Sequence, residues 1–333
     1  MKESPMLSVA LCTYNGERFL EEQLASIANQ KLPVDEIIIC DDGSKDNTLS
    51  IAQIFKEEHQ SIHIEIYQNE SNLGVLKNFE KAILKCHGDI IFCSDQDDIW
   101  MDNKTQEIVS GFDKKENVEM IFTDAILIDE YGNLANDFTL FDNLHINPKV
   151  RSQWKKGLEI EILNIKNIVT GATMAFRRDL INHAIPFNTN IPNLHDEQFA
   201  ICAAKRNSIF MLDKPLIKYR LHKNNVVGIR EPIKSIDTEY HKYVCIPNRI
   251  RLVLEQVYPN SGEGNTRILF MKKRNRCFMT LKGRLILLFS IYTYIKIYKK
   301  NALTIYITDL TIGLDDFVKN KIKGVLNSLS FTF

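Results

Sequence analysis

Along the first hundred residues, apolar runs alternate with amphipathic stretches. Residues 7–13 form a nearly unbroken apolar run, and a short run of that kind bounded by a turn signal reads as a buried strand. Tyr14-Asn15-Gly16 is the turn. Over residues 17–30 the apolar positions Phe19, Leu20, Leu24, Ile27 and Ala28 fall at helical spacing, and Pro33 ends the segment. Residues 36–40 are a second buried strand running into Asp41-Asp42-Gly43-Ser44, and Ser44 or Asp46 is placed to cap a helix reaching about Glu58. Residues 62–67 alternate like a strand, Asn72-Leu73-Gly74 turns, and residues 75–86 are helical. Gly88-Asp89 then opens a third apolar run, 90–93, which stops abruptly at Asp95-Gln96-Asp97-Asp98. Strand and helix alternating at this rhythm predict a doubly wound α/β fold with a parallel sheet.

Three successive strands thus end in polar groups: Thr13-Tyr14-Asn15, Asp41-Asp42 and Asp95-Gln96-Asp97. In open α/β sheets the edge formed by strand C-termini is where ligands bind. Residues two apart on an extended chain point the same way, so Asp95 and Asp97 can converge on one hard divalent cation. Taken alone, an acidic strand end reads more readily as a solvated loop, with Asp98 capping the next helix; the apolar run that sets it on the sheet edge favours the site. The turns contain no Gly-x-Gly-x-x-Gly and no Gly-Lys-Ser/Thr, which disfavours a dinucleotide fingerprint and a P-loop.

Further on, residues 120–128 are strand-like and carry Asp124, with Asp129 just beyond. Residues 143–166 are polar and weakly patterned, with a helix expected around 151–163. Residues 170–176 look like a strand in which Gly171 allows close backbone approach. Asp196 precedes a helix over 197–205, where a carboxylate can cap the helix, and where the helix N-terminus favours its ionised form.

Five of these stretches together resemble the inverting family 2 glycosyltransferases, most closely bacterial members that build surface polysaccharides, including rhamnosyltransferases. They are Thr13-Tyr14-Asn15-Gly16, Asp41 to Thr48, Asn72-Leu73-Gly74, Ser94 to Trp100, and Leu194-His195-Asp196-Glu197, followed by Tyr219 to Gly228. The resemblance covers about residues 6–228. It implies a GT-A fold, with a nucleotide-sugar half (1–100) and an acceptor half (101–228); beyond it, residues 229–333 read from their own pattern as a helical, basic C-terminal region. It implies that Thr13, Tyr14, Asn15, Glu17, Asp42, Lys77 and Asp95 contact the donor, that Asp98 and Trp100 contact the acceptor, and that Asp97, with His222 as a further ligand, holds Mg2+ or Mn2+. Asp196 would be the catalytic base. His195-Asp196 departs from the Glu-Asp or Asp-Asp common at that position. The bland reading of His222 is a loop histidine bonded to backbone.

Composition adds three things. The chain has 333 residues, 44% hydrophobic and 25% charged, enough for a sizeable core. Its net charge is zero, yet residues 1–130 carry 26 acids against 11 bases and residues 131–333 carry 16 against 31. Within 271–300 there are nine Lys or Arg, no acids, and interleaved apolar and aromatic residues. Such a segment can lie on an anionic membrane, where lipid-linked acceptors are found, or pack as a helix pair with a solvated basic face. No nucleic-acid fold accompanies the charge, so nucleic acid is not an expected partner. Seven scattered cysteines without a Cys-x-x-Cys pair fit a reducing cytoplasm and imply no zinc site. The expectation is a cytoplasmic enzyme, peripheral on the inner face of the membrane if 271–300 binds it. The rivals are a sugar-nucleotide nucleotidyltransferase and a non-catalytic nucleotide- or sugar-binding protein. The first usually carries a glycine-rich basic loop after strand one, and here Glu17 follows a single glycine.

Overall fold

A computed structural model describes residues 4–115, 117–163, 167–187 and 194–222. The expectations for 229–333, including the basic stretch 271–300, lie outside the described residues. In chain order the elements are β1 (Leu7–Thr13), α1 (Leu20–Ala28), β2 (Glu36–Asp41), α2 (Thr48–Glu58), β3 (His63–Gln68), α3 (Val75–Lys85), β4 (Ile90–Ser94), β5 (Ile99–Trp100), α4 (Lys104–Asp113), β6 (Met120–Ile128), β7 (Leu134–Thr139), α5 (Leu140–Asn143), α6 (Pro148–Trp154) and α7 (Glu159–Leu163). A 3₁₀ turn at Gly171–Thr173 leads into β8 (Met174–Arg177), and α8 (Ile181–Ala184), α9 (His195–Lys205) and β9 (Ile209–Arg220) follow.

The strands form one sheet in the order β3-β2-β1-β4-β8-β6-β9-β5, with β7 hydrogen-bonded to β6 outside that path. β3, β2, β1 and β4 are mutually parallel. β8 runs antiparallel to both β4 and β6, and β6 pairs with β9 in parallel. Every residue of β1, β2 and β4 is buried, as the continuous apolar runs require of strands covered on both faces. Val9, Leu11, Ile37, Ile39, Ile90 and Phe92 share one core with Leu20, Leu24 and Ile27 of α1 and Ala52 and Phe55 of α2. Burial of each large side chain there contributes about 1.5–3 kcal/mol. The GT-A architecture implied by the motifs is the one observed.

Several boundaries moved. α1 starts at Leu20 because Gly16 to Phe19 form a turn, in which Gly16 O accepts from the Phe19 and Leu20 amides. Residues 170–176 are only half strand. The 151–163 segment is two short helices, α6 and α7. β9 is a twelve-residue strand that the apolar pattern does not predict. Its Asp213-Lys214-Pro215 interruption hides the period. Among the described residues, no helix is long and apolar enough to cross a membrane.

Candidate functional site

β1 lies between β2 and β4 although it precedes both, so the strand order reverses at the β1/β4 boundary. That switch point opens a crevice beyond the strand C-termini. The turns after β1, β2 and β4 meet there and are cross-tied. Asn15, in the left-handed region at φ 48°, gives its amide to Ser44 Oγ (2.8 Å) and accepts from the Lys45 amide through Oδ1 (2.8 Å). Glu17 Oε2 accepts from the Asn47 amide and side chain (3.0 and 2.7 Å). Thr13 Oγ1 donates to Asp41 Oδ2 at 2.9 Å. The Tyr14 side chain is 46% exposed.

Asp42 is buried and already well used. Its Oδ1 accepts from Asn69 Nδ2 (2.8 Å) and the Leu73 amide (2.7 Å), and its Oδ2 from the Gly74 amide (2.9 Å). Asn69 is held in turn by Asn78 and Lys81. Asp42 thus shapes the Asn72-Leu73-Gly74 turn, where Gly74 has φ 80°, and one acceptor direction on Oδ2 remains. Lys77, expected to face the donor, forms an ion pair with Glu80 at 2.6 Å.

The acidic turn after β4 divides sharply. Burial, with the Asp97 charge behind it, pushes the Asp95 carboxyl up to about 7. Asp97 Oδ2 meets His222 Nε2 at 2.8 Å, and the imidazole rests on Phe19 with ring centroids 5.0 Å apart. Asp98 and Trp100, expected on the acceptor side, lie inside the protein instead, 1% and 3% exposed. Asp98 Oδ1 accepts from the Arg220 amide at 3.0 Å, while its buried Oδ2 has no partner among the described residues, and burial drives its carboxyl far above the usual range. Trp100 packs on Phe92, and its amide donates to Ser26 Oγ at 2.9 Å. Both side chains are turned inward because β5 joins the sheet through β9.

Two basic residues complete the turn's surroundings. The Arg220 guanidinium is buried against Phe19 and donates to Asp97 O (2.8 Å) and Glu22 Oε2 (2.6 Å). Lys104 is fully buried, donates to Ala172 O (2.9 Å) and sits 3.8 Å above the Trp100 ring. Burial pulls its ammonium down to about 7 against the opposing pull of Asp98, Cys93 and Asp95. The sequence points to neither. Arg220 lies within the Tyr219 to Gly228 stretch without a distinguishing signal, and a lysine at the start of a helix, as Lys104 is, ordinarily points to solvent.

Asp196 lies in the first turn of α9, 4% exposed, with Oδ1 accepting from Asn167 Nδ2 (3.2 Å) and the Glu197 amide (2.5 Å). Its charge reaches Cys93 on β4, whose thiol is pushed up by burial first and then by Asp95, with Asp196 adding to it. His195 stacks on Phe79 at 3.9 Å, and neither ring nitrogen has a partner among the described residues. A Cβ at Gly171 would come within 2.5 Å of His195 Nε2, so the 3₁₀ turn has room for that ring only because residue 171 is glycine.

As to metal binding, no three acids, histidines or cysteines among the described residues converge on one point. Asp97 and His222 offer an oxygen and a nitrogen. That donor pair suits Mn2+ or Mg2+ when a substrate diphosphate supplies further oxygens. The crowding of Asp95 against Asp97 is the kind of strain a cation relieves.

The model of the family described as Glycosyl transferase family 2 matches residues 8–184. The dTDP-rhamnosyl transferase RfbG of Shigella flexneri is 30% identical over 236 residues, covering 68% of this chain and 76% of that protein. Among solved structures, TarS 1-349 of S. aureus in complex with UDP-GlcNAc superposes with TM-score 0.54 at 19% identity, covering 92% of this chain and 81% of that one. The mannosyltransferase PcManGT of Pyrobaculum calidifontis, in complex with GDP-Man and Mn2+, gives TM-score 0.53 at 14% identity, covering 99% and 82%.

Proposed function

Because the chain belongs to glycosyl transferase family 2, we propose that it moves a hexosyl or deoxyhexosyl group from a nucleotide-sugar donor to a hydroxyl of a growing, lipid-linked surface polysaccharide, inverting the anomeric centre. The observation that carries this reading is the meeting of Asp97 and His222 at the β1/β4 switch point, beside the Tyr14 and Asp95 turns. Family membership decides against a nucleotidyltransferase. The nucleotide stays open, since RfbG is named for dTDP-rhamnose while the two solved structures hold UDP- and GDP-sugars.

In this reading Thr13, Tyr14, Asn15, Glu17 and Asp95 surround the donor, several of them through backbone groups, because their side chains hold the turns. Asp42 offers its remaining acceptor direction to a ring N–H of the base. Lys77 can turn from Glu80 to the diphosphate. A divalent cation at Asp97 and His222 would offset the charge of the leaving diphosphate. Asp196 takes the proton of the attacking hydroxyl. Attack opposite the diphosphate inverts the centre with no covalent intermediate. Asp98 and Trp100 support the acid turn from within rather than touching acceptor. We also propose residues 1–228 as the transferase unit, and 271–300 as a segment that holds it at an anionic membrane.

The test is a panel of UDP-, dTDP- and GDP-sugars with Mn2+, read by thermal stabilisation and by release of the nucleoside diphosphate. Stabilisation and turnover by at least one donor are expected. A protein indifferent to every donor, with and without metal, would sink the proposal. Flotation of the chain with anionic but not neutral liposomes, lost when residues 271–333 are removed, tests the membrane segment.

A further inference from the structure

The β1–β4 ladder stops at the pair Leu11 and Ser94, after which the two chains part toward their turns. Beyond the last rung, a side chain takes over the pairing. Gln96 Oε1 accepts from the Tyr14 amide at 2.8 Å, and Gln96 Nε2 donates to Tyr14 O at 3.0 Å. One carboxamide thus satisfies both backbone groups of one residue, as the opposite residue does in a hydrogen-bonded antiparallel pair. Gly16 makes room for it. The three heavy atoms nearest to a Cβ built at Gly16 all belong to Gln96, and a methyl there would overlap the carboxamide.

We infer that Gln96 is a positioning residue that clamps the Tyr14–Gly16 turn to the Asp95–Asp97 turn and so fixes the width of the nucleotide diphosphate site between them. The inference rests on the donor site proposed above and adds to it a residue outside the acids themselves. Backbone sterics and the mutual bonding with residues 44–48 set the first turn relative to β2. Among the described residues, the Gln96 carboxamide is the hydrogen-bonded tie from Tyr14 to the acid turn. A tie of two hydrogen bonds at the rim contributes little to folding, because both groups return to water when it opens. It acts on binding instead, by holding two loops in the spacing that the ligand needs.

The experiment is titration calorimetry of the full chain with UDP, dTDP and GDP, each with Mn2+. Gln96→Ala and the isosteric Gln96→Met are each expected to weaken the tightest of these by tenfold or more. The melting temperature should stay within about 2 °C, as for other substitutions outside the core. Gly16→Ala should weaken binding similarly, yet by less than twofold when placed in Gln96→Ala, because the group it collides with is gone. Wild-type affinity in Gln96→Met, or losses that add in the double variant, would overturn the clamp. Asp97→Ala separates the two layers. If that variant has lost Mn2+-dependent binding while Gln96→Ala retains it, only the clamp fails. If the unaltered protein binds none of the three diphosphates, the donor site fails and the clamp with it.

Discussion

Asp97 Oδ2 and His222 Nε2 stand 2.8 Å apart although 125 residues separate them in the chain. Both side chains are largely buried, 16% and 9% exposed, and Phe19 backs the imidazole. A carboxylate and an imidazole preset in this way need little ordering when a cation arrives. Asp97→Ala and His222→Ala are each expected to weaken Mn2+ binding by at least tenfold in calorimetry, and EDTA should abolish donor turnover in the unaltered enzyme. Undiminished Mn2+ affinity in His222→Ala would leave the histidine a structural partner of Asp97 only.

Asp196→Asn keeps the shape, the Asn167 neighbour and the helix start, and removes the proton acceptor. Positioned general bases typically contribute about 10²–10⁴-fold. The expected result is a fall in kcat of that order, with donor KM and melting temperature little changed. Steady-state kinetics on the donor found by screening would decide it, and near-normal kcat would remove the residue from the chemistry.

The parallel half of the fold was readable because both faces of β1, β2 and β4 are covered, so their sequences are plain apolar runs closed by acids. The acids themselves were not separable by reading. Asp97 and Asp98 are adjacent and chemically identical, yet one meets His222 and the other lies in the core beneath Arg220. That division depends on β9, whose ladder with β6 is irregular near Asp124 and whose apolar pattern is broken by Asp213-Lys214-Pro215. The resemblance places Trp100 against the acceptor, but long-range pairing of β5 with β9 turns it inward. Gln96 gives no signal for the same reason, since its partner Tyr14 is 82 residues away, and the Ala172 partner of Lys104 is 68 residues away.

A lysine without exposure is normally unfavourable, so Lys104 must be offset by what surrounds it. It has one hydrogen bond, the Trp100 ring and the nearby acids Asp98 and Asp95. Lys104→Ala removes these and leaves a cavity, for an expected loss of about 2–5 kcal/mol. Lys104→Met retains the packing of the stem and should recover part of that loss. Urea denaturation followed by Trp emission reads both, and the Trp100 band should shift in each variant once the ammonium leaves its face. An Ala variant as stable as the parent would show that the site collapses without cost.

His195 makes stability depend on pH in a defined direction. Burial lowers its folded value to about 3 from an ordinary 6.5. Between those limits the unfolded chain binds a proton that the folded chain refuses, so folding stability falls as pH drops through that window and the contribution is flat above it. A single group of this kind gives a loss of about 2 kcal/mol between pH 7 and pH 5. Denaturation curves of the wild type and His195→Gln at those two pH values isolate it, because every other titrating group is shared. Whatever glutamine costs in absolute stability, the wild type should lose about 2 kcal/mol more than the variant over that interval, and parallel pH dependences would mean that His195 accepts a proton in the fold. The sign matters to the chemistry one residue away. An imidazole kept neutral against Phe79 and Gly171 places no positive charge of its own beside Asp196.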